Sequence, residues 1–341
     1  MKKAVIFGER KAGLVDVPDP RPVENMVVVK VHVAPMCTEY KTFIGKKPSD
    51  FLGHEAAGEV AAVAQPGRVK VGDRVVVMPT YPCGKCPLCL AGDYIHCPDM
   101  IDLTKKFGSP EGAATYAQYL LKMDWLLPVI PEGLSYEHAS MACCGLGPTF
   151  GAMETMKVDA FDTVLITGAG PVGLGGVINA RYRGARVIVV ENKPFRVAKA
   201  GKLGASDVFD QDDPDVLKKI REVTGGRGVD KAVDCSGDPV AHRLCIDATR
   251  RRGQVAFVGE TYAYGDTALR ISPDLIRKGL TLHGIWHYNL SLIPRIFKII
   301  QDSPAALNEL ISHVIPMSQV QKALELSASF QCGKIILKPW E

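Results

Sequence analysis

Four cysteines, Cys83, Cys86, Cys89 and Cys97, fall at C-x2-C-x2-C-x7-C spacing in the stretch CGKCPLCLAGDYIHC. Thiolates packed this closely suit a tetrahedral zinc ion with four soft ligands and no open position. A closed site of that kind fixes the chain around it and does no chemistry. The alternatives are a disulfide pair or four unrelated thiols. The N-terminus carries Lys2 and Lys3, then only the apolar run Ala4 to Phe7 before Gly8 and Glu9. A secretory signal needs a longer apolar core. The ten cysteines are therefore expected in a reducing, cytoplasmic setting, where thiols bind metal more often than they pair.

At 341 residues the chain is long enough for two domains. It carries a net charge of +4, and its one dense basic cluster is Arg250–Arg252, which argues against a nucleic-acid partner. It has no run of eighteen apolar residues, so no membrane-spanning helix is expected. Residues 1–148 read as mostly β, with short apolar runs at Ala4–Phe7, Val27–Val33, Glu59–Val63 and Arg74–Val77 between turn residues. From about Phe161 the pattern alternates. Strands are expected at Thr163–Thr167, Arg186–Val190, Lys231–Asp234, Gln254–Val258 and Thr281–Ile285, with helices at Val172–Tyr182, Pro194–Leu203 and Val240–Thr249. Such alternation implies parallel βαβ units, so the class is α/β. Two amphipathic stretches, Leu290–Ile300 and Ser318–Ser327, and a strand at Lys334–Leu337 complete the chain.

The segment TVLITGAGPVG places Gly168, Gly170 and Gly173 directly after a strand, with Pro171 and Val172 opening the helix. In G-x-G-x-x-G the first glycine makes the turn, the second admits a pyrophosphate, and the third lets helix and strand pack closely. The helix N-terminus adds amide donors for phosphate. Glu191 ends the next strand, eighteen positions after the third glycine. A carboxylate there can accept both ribose hydroxyls and repel a 2′-phosphate, which favours NAD over NADP. It can also be an ordinary strand end. Arg196 is a candidate for the adenosine side of the cofactor, or a charge that softens that preference.

A second set of metal-ligating side chains is spread along the β-rich part: Cys37 in APMCTEY, His54 in Gly53-His54-Glu55, and Cys143 and Cys144 in MACCGLGP. A catalytic zinc needs three protein ligands and one open position. By spacing alone these residues are equally consistent with buried thiols and a structural histidine.

Taken together, these anchors resemble the zinc-dependent medium-chain alcohol dehydrogenases, the group that includes alcohol, sorbitol and threonine dehydrogenases. The resemblance covers essentially the whole chain. It implies a GroES-like β-rich catalytic domain over 1–148 with a structural-zinc lobe at 83–97. A Rossmann doubly wound parallel sheet follows over 149–286, and residues 287–341 complete the catalytic domain. It also implies two zinc ions per chain. Cys83, Cys86, Cys89 and Cys97 would hold the structural one; Cys37, His54 and one of Cys143 and Cys144 would hold the catalytic one. The family run Cys-Gly-x4-aromatic-Gly aligns with Cys144-Gly145 through Phe150-Gly151, which selects Cys144. Glu55 is implied close to the metal, able to exchange onto it, and Lys334 falls where relatives place a basic residue against the pyrophosphate. NAD, a small alcohol or polyol substrate and a homodimer or homotetramer follow from the same resemblance.

One stretch departs from the family. Relatives carry a Ser or Thr two places past the first cysteine ligand, then Asp, then a His three places after the hydroxyl. Here Glu39, Tyr40 and Thr42 stand in those positions. Glu39 is expected to act as base or to bind a second substrate hydroxyl, with Thr42 in the former relay site; otherwise Glu39 points away and water carries the proton. Glu39, Lys41, Thr42 and His287 suggest a polar substrate. The reading is hydride transfer between NAD and a secondary alcohol, with polyol, sugar or cyclitol favoured. The alternatives are a simple aliphatic or aromatic alcohol dehydrogenase and a non-catalytic NAD-binding zinc protein.

Overall fold

The computed structural model describes residues 1–260 and 265–341. The chain divides into two compact units. The first comprises Met1–Cys144, Asn289–Pro304 and Ile311–Glu341; the second comprises Gly145–Tyr288 and Ala305–Leu310.

The first unit is organised by the strand Met26–Pro35, whose sequence MVVVKVHVAP is buried almost throughout. It pairs antiparallel with Ala56–Ala62, with Tyr119–Met123 and with the C-terminal strand Lys334–Lys338. The sheet runs Ile311–Pro316, Lys334–Lys338, Met26–Pro35, Ala56–Ala62, Arg74–Val77. Ile311–Pro316 and Lys334–Lys338 are parallel, with the helix Val320–Ala328 between them in sequence. The last strand thus lies beside the first long one, with Leu337 opposite Ala34 and Ile336 opposite Pro35. One core gathers Val29, Val31, Val60, Val75, Val77, Leu120, Ile335 and Leu337.

The second unit is a six-stranded sheet in the order Thr281–Gly284, Thr249–Phe257, Val229–Asp234, Thr163–Thr167, Arg186–Val190, Asp207–Phe209. Every pairing is parallel. Runs such as TVLIT and RVIVV are buried on both faces, as parallel strands covered by helices must be. The chain enters at Thr163–Thr167, winds outward, and returns to Val229–Asp234 beside it. That is the Rossmann order, and a ligand site is expected where the winding reverses, outside the carboxyl ends of those two strands.

Several expected boundaries shift. The strand expected at Gln254 begins at Thr249 and takes in the basic cluster. There Arg250 pairs with Asp230, and Arg251 donates to the carbonyl of Arg277. Residues Ala305–Leu310 belong with the second unit, where Lys199 donates to the Glu309 carboxylate at 2.7 Å. The strands Asp207–Phe209, Ile311–Pro316 and Tyr119–Met123 and the helix Val216–Val223 carried no clear expectation.

Leu165, fully buried in the second core, tests whether that sheet is a cooperative unit. Leu165→Ala should destabilise the second unit by about 2–5 kcal/mol, read as a lower denaturant midpoint. An unchanged midpoint would contradict the packing.

Candidate metal centre and cofactor loop

Cys37 lies between the strand Met26–Pro35 and the short helix Glu39–Ile44; His54 sits in the loop before Ala56–Ala62; Cys144 follows the helix Tyr136–Ser140. The fold of the first unit brings these three with Glu55 into one cluster, whose ligand atoms all lie within 4.8 Å of one another. Cys144 Sγ stands 3.4 Å from His54 Nε2. Tetrahedral zinc with ordinary Zn–S and Zn–N bonds places such a pair about 3.6 Å apart. The donor set therefore fits zinc. Cys143 is turned elsewhere, its buried thiol 3.2 Å from the carbonyl of Val77. The thiols of Cys37 and Cys144 are coupled. A hydrogen bond from Cys144 pulls Cys37 well below the usual thiol range, and the same contact raises Cys144. A divalent ion bound here would displace thiol protons.

Glu39 is not placed as a base. It is buried, and both its oxygens are taken. Oε1 lies 2.9 Å from His54 Nδ1, while Oε2 accepts from the Cys37 amide at 2.8 Å and from the Tyr116 hydroxyl at 2.8 Å. Burial works to raise this carboxyl, but His54, by charge and by hydrogen bond, holds it at about 2. Residue 39 thus stands where an orienting carboxylate would for a metal-ligating histidine: with Nδ1 paired to Glu39, Nε2 would be left for a metal. A glutamate reaches His54 from one place earlier in the chain than the family's aspartate.

Lys334 is engaged within the first unit. Its ammonium is fully buried in the first unit and 2.6 Å from Glu55, itself fully buried. It presents no surface to a phosphate. Burial disfavours its charge, yet Glu55 and the Cys37 sulfur outweigh that and hold it above the ordinary lysine range. Glu55 also accepts from the Cys144 amide at 3.1 Å, so it braces Cys144 from behind. Thr42 is exposed on its helix and outside the cluster.

The lobe carries the second cluster, Cys83, Cys86, Cys89 and Cys97. Pro87 opens the helical turn Pro87–Leu90 that carries Cys89. The Sγ atoms of Cys86 and Cys97 are 3.9 Å apart, close to the ~3.8 Å edge of a four-thiolate zinc tetrahedron. All ten cysteines are free. The Cys83 amide points at Cys97 Sγ (3.3 Å) and the Cys86 amide at Cys83 Sγ (3.4 Å), contacts that favour thiolate. Asn289 ties the lobe down, donating to the Ala91 carbonyl at 2.7 Å and to Asp93 at 2.8 Å.

In the second unit, Gly168, Gly170 and Gly173 form the turn into the helix Pro171–Tyr182, with Gly170 at its N-cap and Pro171 and Val172 in its first turn. A Cβ at position 173 would sit 1.9 Å from the Gly168 carbonyl oxygen, so helix and loop meet as closely as the motif requires. Glu191 is buried, and its carboxylate accepts from three amides: Ala169 at 2.8 Å, Asn192 at 2.8 Å and Lys193 at 3.0 Å. Two of these fall on Oε1, leaving acceptor capacity on Oε2. The guanidinium of Arg196 flanks Gly170, 3.7 Å from where a Cβ would be.

Residues 23–132 match the family described as alcohol dehydrogenase GroES-like domain, and residues 171–302 match zinc-binding dehydrogenase. The chain is 31% identical to a sorbitol dehydrogenase of Bacillus subtilis (strain 168), over 99% of this chain and 97% of that protein. It belongs to the zinc-dependent medium-chain alcohol dehydrogenases. Another relative, an L-threonine 3-dehydrogenase of Pyrococcus abyssi, is 32% identical over 98% of this chain and 97% of its own. The alcohol dehydrogenase TADH from Thermus sp. ATN1 has a TM-score of 0.89 at 25% identity, with 99% of each chain covered. No helix among the described residues of this dehydrogenase is long and apolar enough to cross a membrane.

Sequence reasoning missed Tyr116 and the pairing of Lys334 with Glu55. Tyr116 lies in an unremarked stretch, ATYAQY, far from any ligand in sequence. No local pattern marks a phenol that meets a carboxylate 77 positions away. The Cys143/Cys144 choice gives a direct test of the metal centre in this dehydrogenase. Cys144→Ala should abolish metal uptake at the Cys37 cluster and leave the lobe loaded, whereas Cys143→Ala should leave both loaded. Metal analysis of the purified variants reads the result; loss at position 143 instead would reverse the assignment.

Proposed function

We propose that this chain transfers hydride between NAD and a secondary alcohol, with a polyol, sugar or cyclitol as substrate, and that it holds two zinc ions. The observation that carries the reading is the Cys37–His54–Cys144 cluster: two sulfurs and one imidazole at zinc-ligand spacing, separate from the four-thiol lobe. The sorbitol and L-threonine 3-dehydrogenase names of relatives support a polar substrate bearing more than one heteroatom. A relative named D-arabitol-phosphate dehydrogenase, 34% identical over 74% of this chain, supports the same class.

Zinc, when bound, supplies Lewis acidity that makes a substrate hydroxyl easier to deprotonate. NAD, when bound, accepts the hydride. The chain's own residues do the rest. Cys37, His54 and Cys144 would hold the ion, and two thiolate charges would balance it. Glu55 and Lys334 neutralise each other behind the cluster. The residue two places past Cys37 carries no hydroxyl, and Glu39 is committed to His54, Cys37 and Tyr116. Glu39 is thus not free to take the proton, and the His54 side chain is 31% exposed. The glycine loop and the N-terminus of Pro171–Tyr182 take the pyrophosphate, and the remaining acceptor capacity of Glu191 Oε2 favours an unphosphorylated ribose.

The test is an NAD-coupled absorbance screen of the zinc-loaded protein against simple alcohols, polyols and amino alcohols. Turnover of a polyol or related secondary alcohol is expected, with NAD preferred over NADP by at least about tenfold, the scale of ~1.4 kcal/mol of differential binding. Oxidation confined to simple primary alcohols would move the assignment to that class. No oxidation of any alcohol by fully metallated protein would remove it.

A further inference from the structure

Tyr116 joins two segments that the chain keeps far apart. Its backbone is fixed beside the loop that carries His54: its amide donates to the Leu52 carbonyl at 3.0 Å, and the Thr115 amide donates to the Gly53 carbonyl at 3.4 Å. From the other side its carbonyl accepts from the Ala4 amide at 2.8 Å. Its hydroxyl reaches Glu39, which follows Cys37, at 2.8 Å. The residue is fully buried. Its ring lies directly on Gly53, where φ is +83° and a Cβ would stand 2.3 Å from the ring carbon Cδ1. A side chain at position 53 and the ring at 116 exclude each other, so the residue before the histidine ligand has both the conformation and the space that only glycine supplies.

We propose that Tyr116 is a positioning residue of the metal centre, acting through Glu39 on His54. Resting on the metal reading above, it deepens that reading by naming what makes a displaced carboxylate serviceable. Glutamate carries one more methylene than aspartate and has one more torsion to fix. The Cys37 amide and the Tyr116 hydroxyl both bind Oε2, which leaves Oε1 aimed at His54 Nδ1. Without the hydroxyl, Oε2 loses one donor, and the carboxylate is freer to rotate away from the imidazole. His54 then loses its fixed tautomer and part of its basicity as a ligand.

Tyr116→Phe removes only the oxygen and leaves the ring and the backbone pairing in place. The experiment replaces zinc by cobalt(II) in the full chain and follows the visible spectrum of the centre and the rate of cobalt loss to a chelator. Loss of an outer-shell partner weakens metal binding by about 10–100-fold. Glu39→Gln is expected within that range and Tyr116→Phe near its lower end, about tenfold faster release. Both variants should shift the cobalt bands, lower kcat more than they raise KM, and leave the lobe's metal in place. Gly53→Ala, which drives a methyl into the ring, should shift the bands by an independent route. A Tyr116→Phe protein with wild-type bands and wild-type release rate overturns the role of Tyr116 and leaves the metal centre standing. A wild-type protein that takes up no cobalt at Cys37, His54 and Cys144 overturns both.

Discussion

Two thiols, an imidazole, two carboxylates and an ammonium are packed within or against one cluster in the first unit, and most of them are buried. Buried charge is costly unless each group finds a partner. The partners are visible: Glu39 for His54, Lys334 for Glu55, the Cys144 thiol for Cys37. What remains is the two sulfurs and the second imidazole nitrogen, with Cys144 Sγ 3.4 Å from His54 Nε2, at coordination distance. A divalent cation would satisfy that arrangement. The architecture of the first unit follows from the need to deliver these groups to one place.

That delivery is a matter of topology. Cys37 leaves the end of the long strand Met26–Pro35, and Lys334 opens the strand that pairs beside it, so first-third and last-tenth residues of the chain become neighbours. His54 and Glu55 immediately precede the strand on the opposite flank. A sheet assembled from both ends of the chain holds its functional side chains at strand termini, where backbone pairing fixes position while side chains stay free to converge. The lobe is separate. Its four sulfurs come from one short loop, and its geometry is local.

This difference explains what could be read in advance. The lobe cysteines and the glycine loop are legible because their ligand sets are contiguous: spacing alone specifies a tetrahedron or a pyrophosphate turn. The Rossmann strands are legible because doubly buried strands are near-continuous Val, Ile and Leu runs. The strand Asp207–Phe209 was not, since three half-buried residues carry no period. Cys37, His54 and Cys144 are legible only through the family resemblance, because nothing local ties residues a hundred positions apart. Within that centre the resemblance also misled. Position by position, Glu39 took the place of a hydroxyl and Tyr40 that of an aspartate; in space, the longer side chain of Glu39 does the aspartate's work. Lys334 was aligned with a phosphate contact, but strand pairing buries it against Glu55.

The most direct measurement is a zinc-edge anomalous difference map from crystals of the metallated chain. The account predicts two peaks, one within the lobe and one bonded to Cys37 Sγ, His54 Nε2 and Cys144 Sγ, with Glu39 still seated on His54 Nδ1. A single peak in the lobe, with Cys37, His54 and Cys144 turned apart, would contradict it.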